Sequence, residues 1–397
     1  VKLLSVEAAR SAMVAEAAAL PAETIALSAA VGRVLAEDVT AVRAQPPFTN
    51  SAMDGWAVRA AETPGALAIV GESAAGHGYE GVLANGQAIR IFTGAALPQG
   101  ADSVVIQENA AREGDRVTVP AAAPGDNVRD AGKDFQTGDV LLTAGTCINP
   151  WRLSLAASAG RAEVSVHAKP RIAILSTGEE IVEAPATPGP FQIYDSGSPA
   201  LKVMCEAWGA QATKLSGVRD QLDAVIAAMR GADADLIVTV GGASVGDHDL
   251  VRTAAEALGM RYRVESVAVR PGKPTFFGVL ADGRRLLGLP GNPASAFVCA
   301  ELFLKPLIAA YSGAPHEPRM ATARLAEPLA ANGPREHWMR AKLTHEAGGI
   351  TVQPYRDQDS SLVRVFAAAD ALLKRPPGAP ASAAGDLVEV LLLDRAG

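Results

Sequence analysis

The chain has 397 residues, 49% of them hydrophobic and 20% charged, with a formal net charge of -7. That length gives room for several domains with sizeable cores, and the acidic balance argues against nucleic acid as a partner, because phosphate neutralisation needs a basic face. No apolar run approaches the length of a membrane span, and Glu7, Arg10 and Glu16 interrupt the first helical pattern, so neither a membrane segment nor a signal peptide is read and a cytoplasmic protein is expected.

From residue 5 to 20, Val6, Ala9, Met13, Val14 and Ala17 recur at helical spacing behind Ser5, a good N-cap, and Pro21 ends the segment. A second short helix is expected over 28–35. The composition changes at Arg43. Gln45-Pro46-Pro47 leads through Met53-Asp54-Gly55-Trp56 into short strands separated by Gly and Pro, among them 87–91, 103–107 and 116–119. This spacing predicts a small β domain, 44–139, inserted into a helical scaffold of 1–43 and 140–168 whose Ala-rich helix covers 150–159.

After Lys169-Pro170, strands and helices alternate. Strands are expected over 171–175, 211–215 and 236–240, and helices over 199–208, 221–229 and 249–258. Strands 264–269 and 286–289 and helix 294–309 follow. Ser198 reads as an N-cap with Pro199 at the first helical position, and Gly209 as the residue beyond the end. The alternation predicts a three-layer α/β domain, 169–313, with a mostly parallel sheet. Gly313-Ala314-Pro315 reads as a linker to a small C-terminal β-barrel-like domain, 314–397, with strands near 322–325, 339–343, 350–353 and 387–392. Cys147, Cys205 and Cys299 stand alone, which fits buried reduced thiols rather than a disulfide framework or a zinc site.

In open α/β sheets, ligands bind beyond the carboxyl ends of the strands. Four loops fall there: Ser176-Thr177-Gly178-Glu179-Glu180, the glycine-rich stretch 241–249, Arg270-Pro271-Gly272-Lys273-Pro274, and Pro290-Gly291-Asn292-Pro293-Ala294-Ser295, which opens a helix. Arg270 and Lys273 put two cations on a rigid turn, Ser244 and Ser295 add hydroxyl donors, and free backbone amides suit an oxyanion. Glu180, Asp220, Asp247 and Asp249 would repel that anion unless a divalent cation lay between them. Hard oxygen ligands beside phosphate point to Mg²⁺. His248 reads as a solvated loop residue. Taken singly, each loop reads equally well as a tight Gly/Pro connection, and Asp54-Gly55 as a turn that needs a positive φ.

These loops, together with Ser51-Ala52-Met53-Asp54-Gly55-Trp56-Ala57, Arg90-Ile91-Phe92-Thr93-Gly94-Ala95 and residues 127–138, occur in an order that resembles the molybdopterin molybdenumtransferases. The likeness spans most of the chain. The glycine-rich loop is shared with the molybdopterin adenylyltransferases, whereas the Met-Asp-Gly and Phe-Thr-Gly-Ala stretches separate the two families. The resemblance implies Mg²⁺-dependent conversion of adenylated molybdopterin and molybdate to molybdenum cofactor and AMP, the last step of cofactor assembly. On the match, Arg270, Lys273 and Ser295 would hold molybdate, helped by Ser244 and Arg340. Asp220, Asp249 and Glu180 would serve Mg²⁺ and the nucleotide phosphates, with Asp249 the leading metal ligand. Pro290 and Pro293 would shape the substrate loop, and Ser360 loosely matches a functional serine of the C-terminal domain.

Asp54, Thr93 and Asp134 would complete the site of the other subunit in an elongated homodimer. A molybdopterin adenylyltransferase and molybdoenzyme chaperones are further partners the resemblance implies. Three departures stand out: Trp56 for a usual Tyr, Arg270 for a common Lys, and Ser266 where many members carry Lys. Two other readings stay open, an adenylyltransferase built on the same α/β fold and a non-catalytic scaffold of the gephyrin type.

Overall fold

The computed structural model describes residues 3–241 and 250–393 and divides into two compact units. One comprises Val1–Glu23, Gly32–Ala36 and Val166–Gly397, the other Thr24–Val31 and Glu37–Ser165.

The smaller unit is organised by a six-stranded sheet in the order Ser103–Ile106, Gly55–Val58, Gln87–Ile91, Gly65–Ser73, Arg116–Val119, Ala111–Glu113. Neighbours are antiparallel except Gly65–Ser73 and Gln87–Ile91, which run parallel. Both faces are covered. Along Gly55–Val58, Trp56 and Val58 join one apolar cluster with Leu67, Val105 and Val117, while Ala57 joins another with Ile89 and Val104, as the two-residue alternation of a strand dictates. A Cβ on Gly55 would run into the Val105 carbonyl oxygen. Close strand approach therefore explains this glycine, rather than a turn with positive φ.

Helix is sparse here. Pro150–Ser158 starts at Asn149, whose side chain accepts the Arg152 amide at 2.9 Å. The helix expected over 28–35 is only the 3-10 turn Leu27–Ala29. Beyond it, in the larger unit, Gly32 takes a φ of 80°, and the Val34 carbonyl is given to the His167 amide instead of to a helical neighbour. Cys147 is exposed, against expectation, whereas Cys205 and Cys299 are buried.

The larger unit contains a six-stranded sheet ordered Gln211–Leu215, Arg171–Ser176, Leu236–Val240, Arg285–Leu289, Phe276–Val279, Arg261–Val264. The first four strands are parallel, and Phe276–Val279 and then Arg261–Val264 add at one edge, each by an antiparallel pairing to its neighbour. All five residues of Leu236–Val240 are buried, as a central strand covered on both faces must be. Val238 packs in one cluster with Leu201, Cys205 and Phe297, and Ile237 in the other with Val225, Met229 and Val251. The single strand expected over 264–269 is three short pieces in three sheets. Arg261–Val264 lies in the central sheet, Ser266–Val267 beside Leu3–Leu4, and Val269–Arg270 beside Glu336 and His337.

Helix ends also differ from the periodicity. Val6–Val14 stops early because Glu16 is drawn to Arg263 by its side chain and to Arg285 Nε by its carbonyl (2.8 Å). Gly197–Ala207 begins two residues before Pro199, because Asp195 caps it: its Oδ1 accepts the amides of Gly197 (3.1 Å) and Ser198 (3.0 Å). The long helix Pro293–Tyr311 widens into π turns over Ala300–Leu304, just ahead of Pro306, whose ring crowds the preceding turn and has no N–H to give it. With a mean hydropathy of 1.4 it is long and apolar enough to cross a membrane, but 83% of that window is buried inside the fold.

The C-terminal strands Met320–Leu325, Glu336–Glu346, Gly349–Pro354, Ala371–Arg375 and Leu387–Leu392 close into a five-stranded barrel, because Glu336–Glu346 pairs with both Gly349–Pro354 and Ala371–Arg375. Ala323, Leu325, Ala341, Val352 and Val390 fill it.

Candidate active site

The carboxyl ends of Arg171–Ser176, Leu236–Val240 and Arg285–Leu289 open on a cavity of about 820 Å³. Chain order puts it there. After Ser176 the chain winds outward to Gln211–Leu215, then crosses to Leu236–Val240 on the other side, so the loops leaving Ser176 and Val240 diverge. Such a switch point leaves a crevice. Thr177, Gly178 and Gly241 line it from those two loops, and Gly291 and Asn292 from the third. The loops interlock through glycines: a Cβ on Gly291 would lie 3.3 Å from Gly241 Cα, and one on Gly241 would lie 3.0 Å from the Thr177 carbonyl oxygen.

Of the residues singled out from sequence, Glu180, Asp220, Pro290 and Pro293 line this cavity. Ser295 lies in the first turn of the helix that starts at Pro293 and is 5% exposed. Ser360 reaches the same helix start from the barrel side. Its Oγ accepts from Asn292 Nδ2 at 2.8 Å and its carbonyl accepts the Ala294 amide at 3.2 Å; the neighbouring Ser361 lines the cavity.

Arg340 is fully buried and works on that same loop. Its Nε donates to Gln358 Oε1 (3.1 Å) and its Nη1 to the Asp359 carbonyl (3.0 Å), leaving Nη2 without a partner among the described residues. Burial depresses its pKa, against the opposing charges of Asp357 and Asp359. Arg340, which the resemblance implies as a help in holding molybdate, is thus buried in this structure and tied to the 358–359 loop through Nε and Nη1.

Arg270 and Lys273 stand exposed on their turn, and Pro274 carries that turn into the cavity lining. Gly272 shapes it with a φ of 119°, and a Cβ there would collide with Cys299 Sγ. Cys299 accepts a hydrogen bond from Thr275 Oγ1 at 3.2 Å, and burial pushes its thiol up to about 12, so it supports the turn without reacting. Arg270 stands in register with His337. Burial first, then the charges of Arg270, Arg340, Arg335 and Arg375, push His337 down to about 4. Arg270 and Arg340 therefore act on one neutral, buried ring.

Ser244, Asp247, His248 and Asp249 lie outside the described residues. In the other unit, Asp54 and Thr93 come together: the Thr93 amide and hydroxyl both donate to Asp54 Oδ1 at 2.7 Å, and these bonds hold the carboxyl below its ordinary value. Asp134 is exposed, on a segment held by its amide to the Gln45 carbonyl at 2.9 Å.

Tyr194, Asp195 and Lys214 were not singled out, and Asn292 was named only as a member of its loop. Tyr194, Asp195 and Asn292 line the cavity, and Lys214 Nζ lies 2.7 Å from Asp195 Oδ2. Burial works against the Asp195 charge, but hydrogen bonds from Lys214 and Ser198 outweigh it and hold the carboxyl low. The available signal was a carboxylate just ahead of Ser196-Gly197-Ser198-Pro199, and an Asn directly before Pro293, both helix-start patterns.

Glu180 and Asp220, from two different loops, bring hard oxygen donors to the cavity, while no set of three His, Cys, Asp or Glu gathers among the described residues. That donor set fits Mg²⁺, which takes one or two carboxylates and fills its shell with water and phosphate oxygens, better than it fits a closed all-protein cage.

Three family models follow one another along the chain: the MoeA N-terminal region (domain I and II) over residues 4–160, a probable molybdopterin binding domain over 173–310, and the MoeA C-terminal region (domain IV) over 322–393. The fold and its cavity are thus those of an enzyme of molybdenum cofactor biosynthesis. The molybdopterin molybdenumtransferase of Staphylococcus aureus (strain Mu50 / ATCC 700699) is 32% identical over 393 residues, 96% of this chain and 94% of its own. That of Staphylococcus epidermidis (strain ATCC 35984) is 32% identical over 381 residues, 93% and 91% of the two chains. The crystal structure of a molybdopterin biosynthesis MoeA protein from Pyrococcus horikosii matches with a TM-score of 0.86 and 30% identity, covering 99% of this chain and 100% of that one. The chain belongs to the molybdopterin molybdenumtransferase family.

Proposed function

We propose that the protein converts adenylated molybdopterin and molybdate to molybdenum cofactor and AMP. The observation that carries this is the switch-point cavity of about 820 Å³ with Glu180 and Asp220 on its wall and the Arg270–Lys273 turn leading into it through Pro274. Its size falls in the range that encloses a nucleotide-sized ligand.

In this reading Arg270, Lys273, Ser295 and Ser244 bind molybdate as substrate, and Arg340 with Ser360 orders the barrel loop over the same helix start. Glu180, Asp220 and Asp249 would hold Mg²⁺, which when bound neutralises charge on the phosphoanhydride. The chain's own part is to position the anion beside the phosphates and to stabilise the charge that develops as AMP leaves. Three unpaired cysteines support a reducing, cytoplasmic setting.

Purified protein with Mg²⁺, molybdate and adenylated molybdopterin should release AMP in a molybdate-dependent way, and Asp220→Ala should slow release roughly 100-fold. AMP release indifferent to molybdate, or ATP consumption with molybdopterin, refutes the assignment.

We further propose a homodimer in which Asp54, Thr93 and Asp134 of one subunit complete the site of the other. The Asp54–Thr93 pair supports it, because a half-exposed carboxylate held ionised by two donors is poised for an outside partner. Mixing inactive Asp54→Ala and Asp220→Ala subunits should then restore roughly a quarter of the sites after random exchange. No recovery from a mixture shown to exchange subunits counts against completion in trans.

A further inference from the structure

The excursion between Arg171–Ser176 and helix Gly197–Ala207 is held in an unusual way. Ile181–Val182 and Ile193–Tyr194 pair in parallel, with the Ile193 amide on the Glu180 carbonyl (2.7 Å) and the Asp195 amide on the Val182 carbonyl (2.9 Å). Two residues per strand do not hold a sheet together in water. Lys214, on the edge strand Gln211–Leu215, supplies the hold. Its Nζ lies 2.9 Å from Glu183 Oε1 on the outgoing limb and 2.7 Å from Asp195 Oδ2 on the returning limb. Lys214 and Asp195 are largely shielded from solvent, where salt screens such a pair poorly.

Within this frame Ile181, Ile193 and Tyr194 line the cavity beside Glu180. Ile193 and Tyr194 are nevertheless 61% and 52% exposed. Two large hydrophobic side chains kept in water at the mouth of the cavity, on a limb pinned by shielded charges, form a surface that a flat ligand ring would cover.

We propose that Ile193 and Tyr194 form the ring-binding wall of this cavity, with a flat fused nitrogen heterocycle of the substrate stacked on Tyr194, and that Lys214 is the positioning residue that holds the wall by both limbs. This rests on the substrate reading above, since adenylated molybdopterin carries two such heterocycles, a pterin and an adenine, which share the same flat chemistry. Loss of one aromatic stacking partner costs roughly tenfold in affinity.

Calorimetric titration with AMP and, separately, with molybdopterin tests the wall. Tyr194→Leu should weaken one of these ligands roughly tenfold while Tyr194→Phe retains it, and the arm that weakens says which ring lies there. Leucine binding both ligands as well as tyrosine does overturns the wall. Lys214→Met should weaken the same ligand, speed amide exchange over 183–192, and raise KM for AMP release more than it lowers kcat, with Lys214→Arg restoring all three. Glu183→Gln, at the exposed end of the staple, gives a milder version in a chain that keeps its fold. Unchanged affinity in both Lys214→Met and Glu183→Gln overturns the positioning role. Both titrations omit molybdate, so a failed transfer assay leaves the binding result standing, and an unaffected affinity leaves the transfer assay standing.

Discussion

Replacing Arg340 with methionine separates a loop-holding guanidinium from one that touches substrate. Methionine keeps an unbranched apolar stem in a fully buried strand position and deletes two hydrogen bonds, Nε to Gln358 Oε1 (3.1 Å) and Nη1 to the Asp359 carbonyl (3.0 Å). Bonds from a charged donor contribute about 1.5–3 kcal/mol each, so the gross loss is about 3–6 kcal/mol. Two offsets reduce it. Gln358 keeps its other contacts, accepting the Arg340 amide (3.0 Å) and donating to the carbonyls of Arg340 (2.9 Å) and Tyr355 (2.7 Å). The substitution also removes a buried charge whose Nη2 lacks a partner, a group that burial disfavours.

A net loss of about 2 kcal/mol remains, concentrated on residues 357–361. Amides there should exchange with solvent about 30-fold faster, while those of Leu372 and Val390 in the barrel core hold. Gln358→Leu, which keeps the charge but removes the acceptor and the two bonds from Nε2 to the Arg340 and Tyr355 carbonyls, should loosen the loop at least as much. If Arg340→Met abolishes AMP release with exchange over 357–361 unchanged, the guanidinium acts on substrate and the loop argument is wrong.

Two further outcomes follow from single contacts. Gly272→Ala drives a Cβ into Cys299 Sγ at a φ of 119°, which should lower stability by about 2–3 kcal/mol; the double variant with Cys299→Ala should recover part of the lost melting temperature, and no recovery would mean the sulfur is not the obstacle. His337 and His316 are both pushed down to about 4 from 6.5, His316 by burial and then by Lys305 and Arg10. Between those values the unfolded chain binds more protons than the folded one, so their contribution is complete above pH 6.5 and lost as pH falls toward 4. Each accounts for at most roughly 3 kcal/mol. Replacing both with asparagine should flatten the melting temperature over that window, and an unchanged slope refutes the assignment.

What could be read from the residues was what local pattern determines. Arg171–Ser176 and Leu236–Val240 stand out because strands buried on both faces are apolar runs bounded by turns. The strand-end rule then grouped Glu180 with Pro290, although 110 positions separate them. Partner choice was not legible. Nothing in the alternation of residues 261–270 says that three successive short pieces join three different sheets. Phe276–Val279 escaped because Gly278 interrupts it, and that glycine is demanded by a carbonyl on the neighbouring strand, that of Arg261 at 2.6 Å from its would-be Cβ. Asp195 escaped because Ser198 beside Pro199 looks like the better cap, whereas Asp195 takes the amides of Gly197 and Ser198 and is itself held by Lys214. A lone arginine in a strand reads as a surface residue, so the burial of Arg340 had no sequence signal at all.

Val269–Arg270 pairs with Glu336–His337 of the barrel, and the Glu336 amide donates to the Ala268 carbonyl at 2.9 Å, yet a few residues later Phe276–Val279 belongs to the α/β sheet. The turn bearing Arg270 and Lys273 is therefore slung between two sheets, like a hinge pin held by both leaves. Modularity stops at this point. An excised α/β fragment ending at Gly313 would keep every residue of the turn while losing the ladder that sets its pitch, so anion affinity should not travel with the α/β domain when it is transplanted alone.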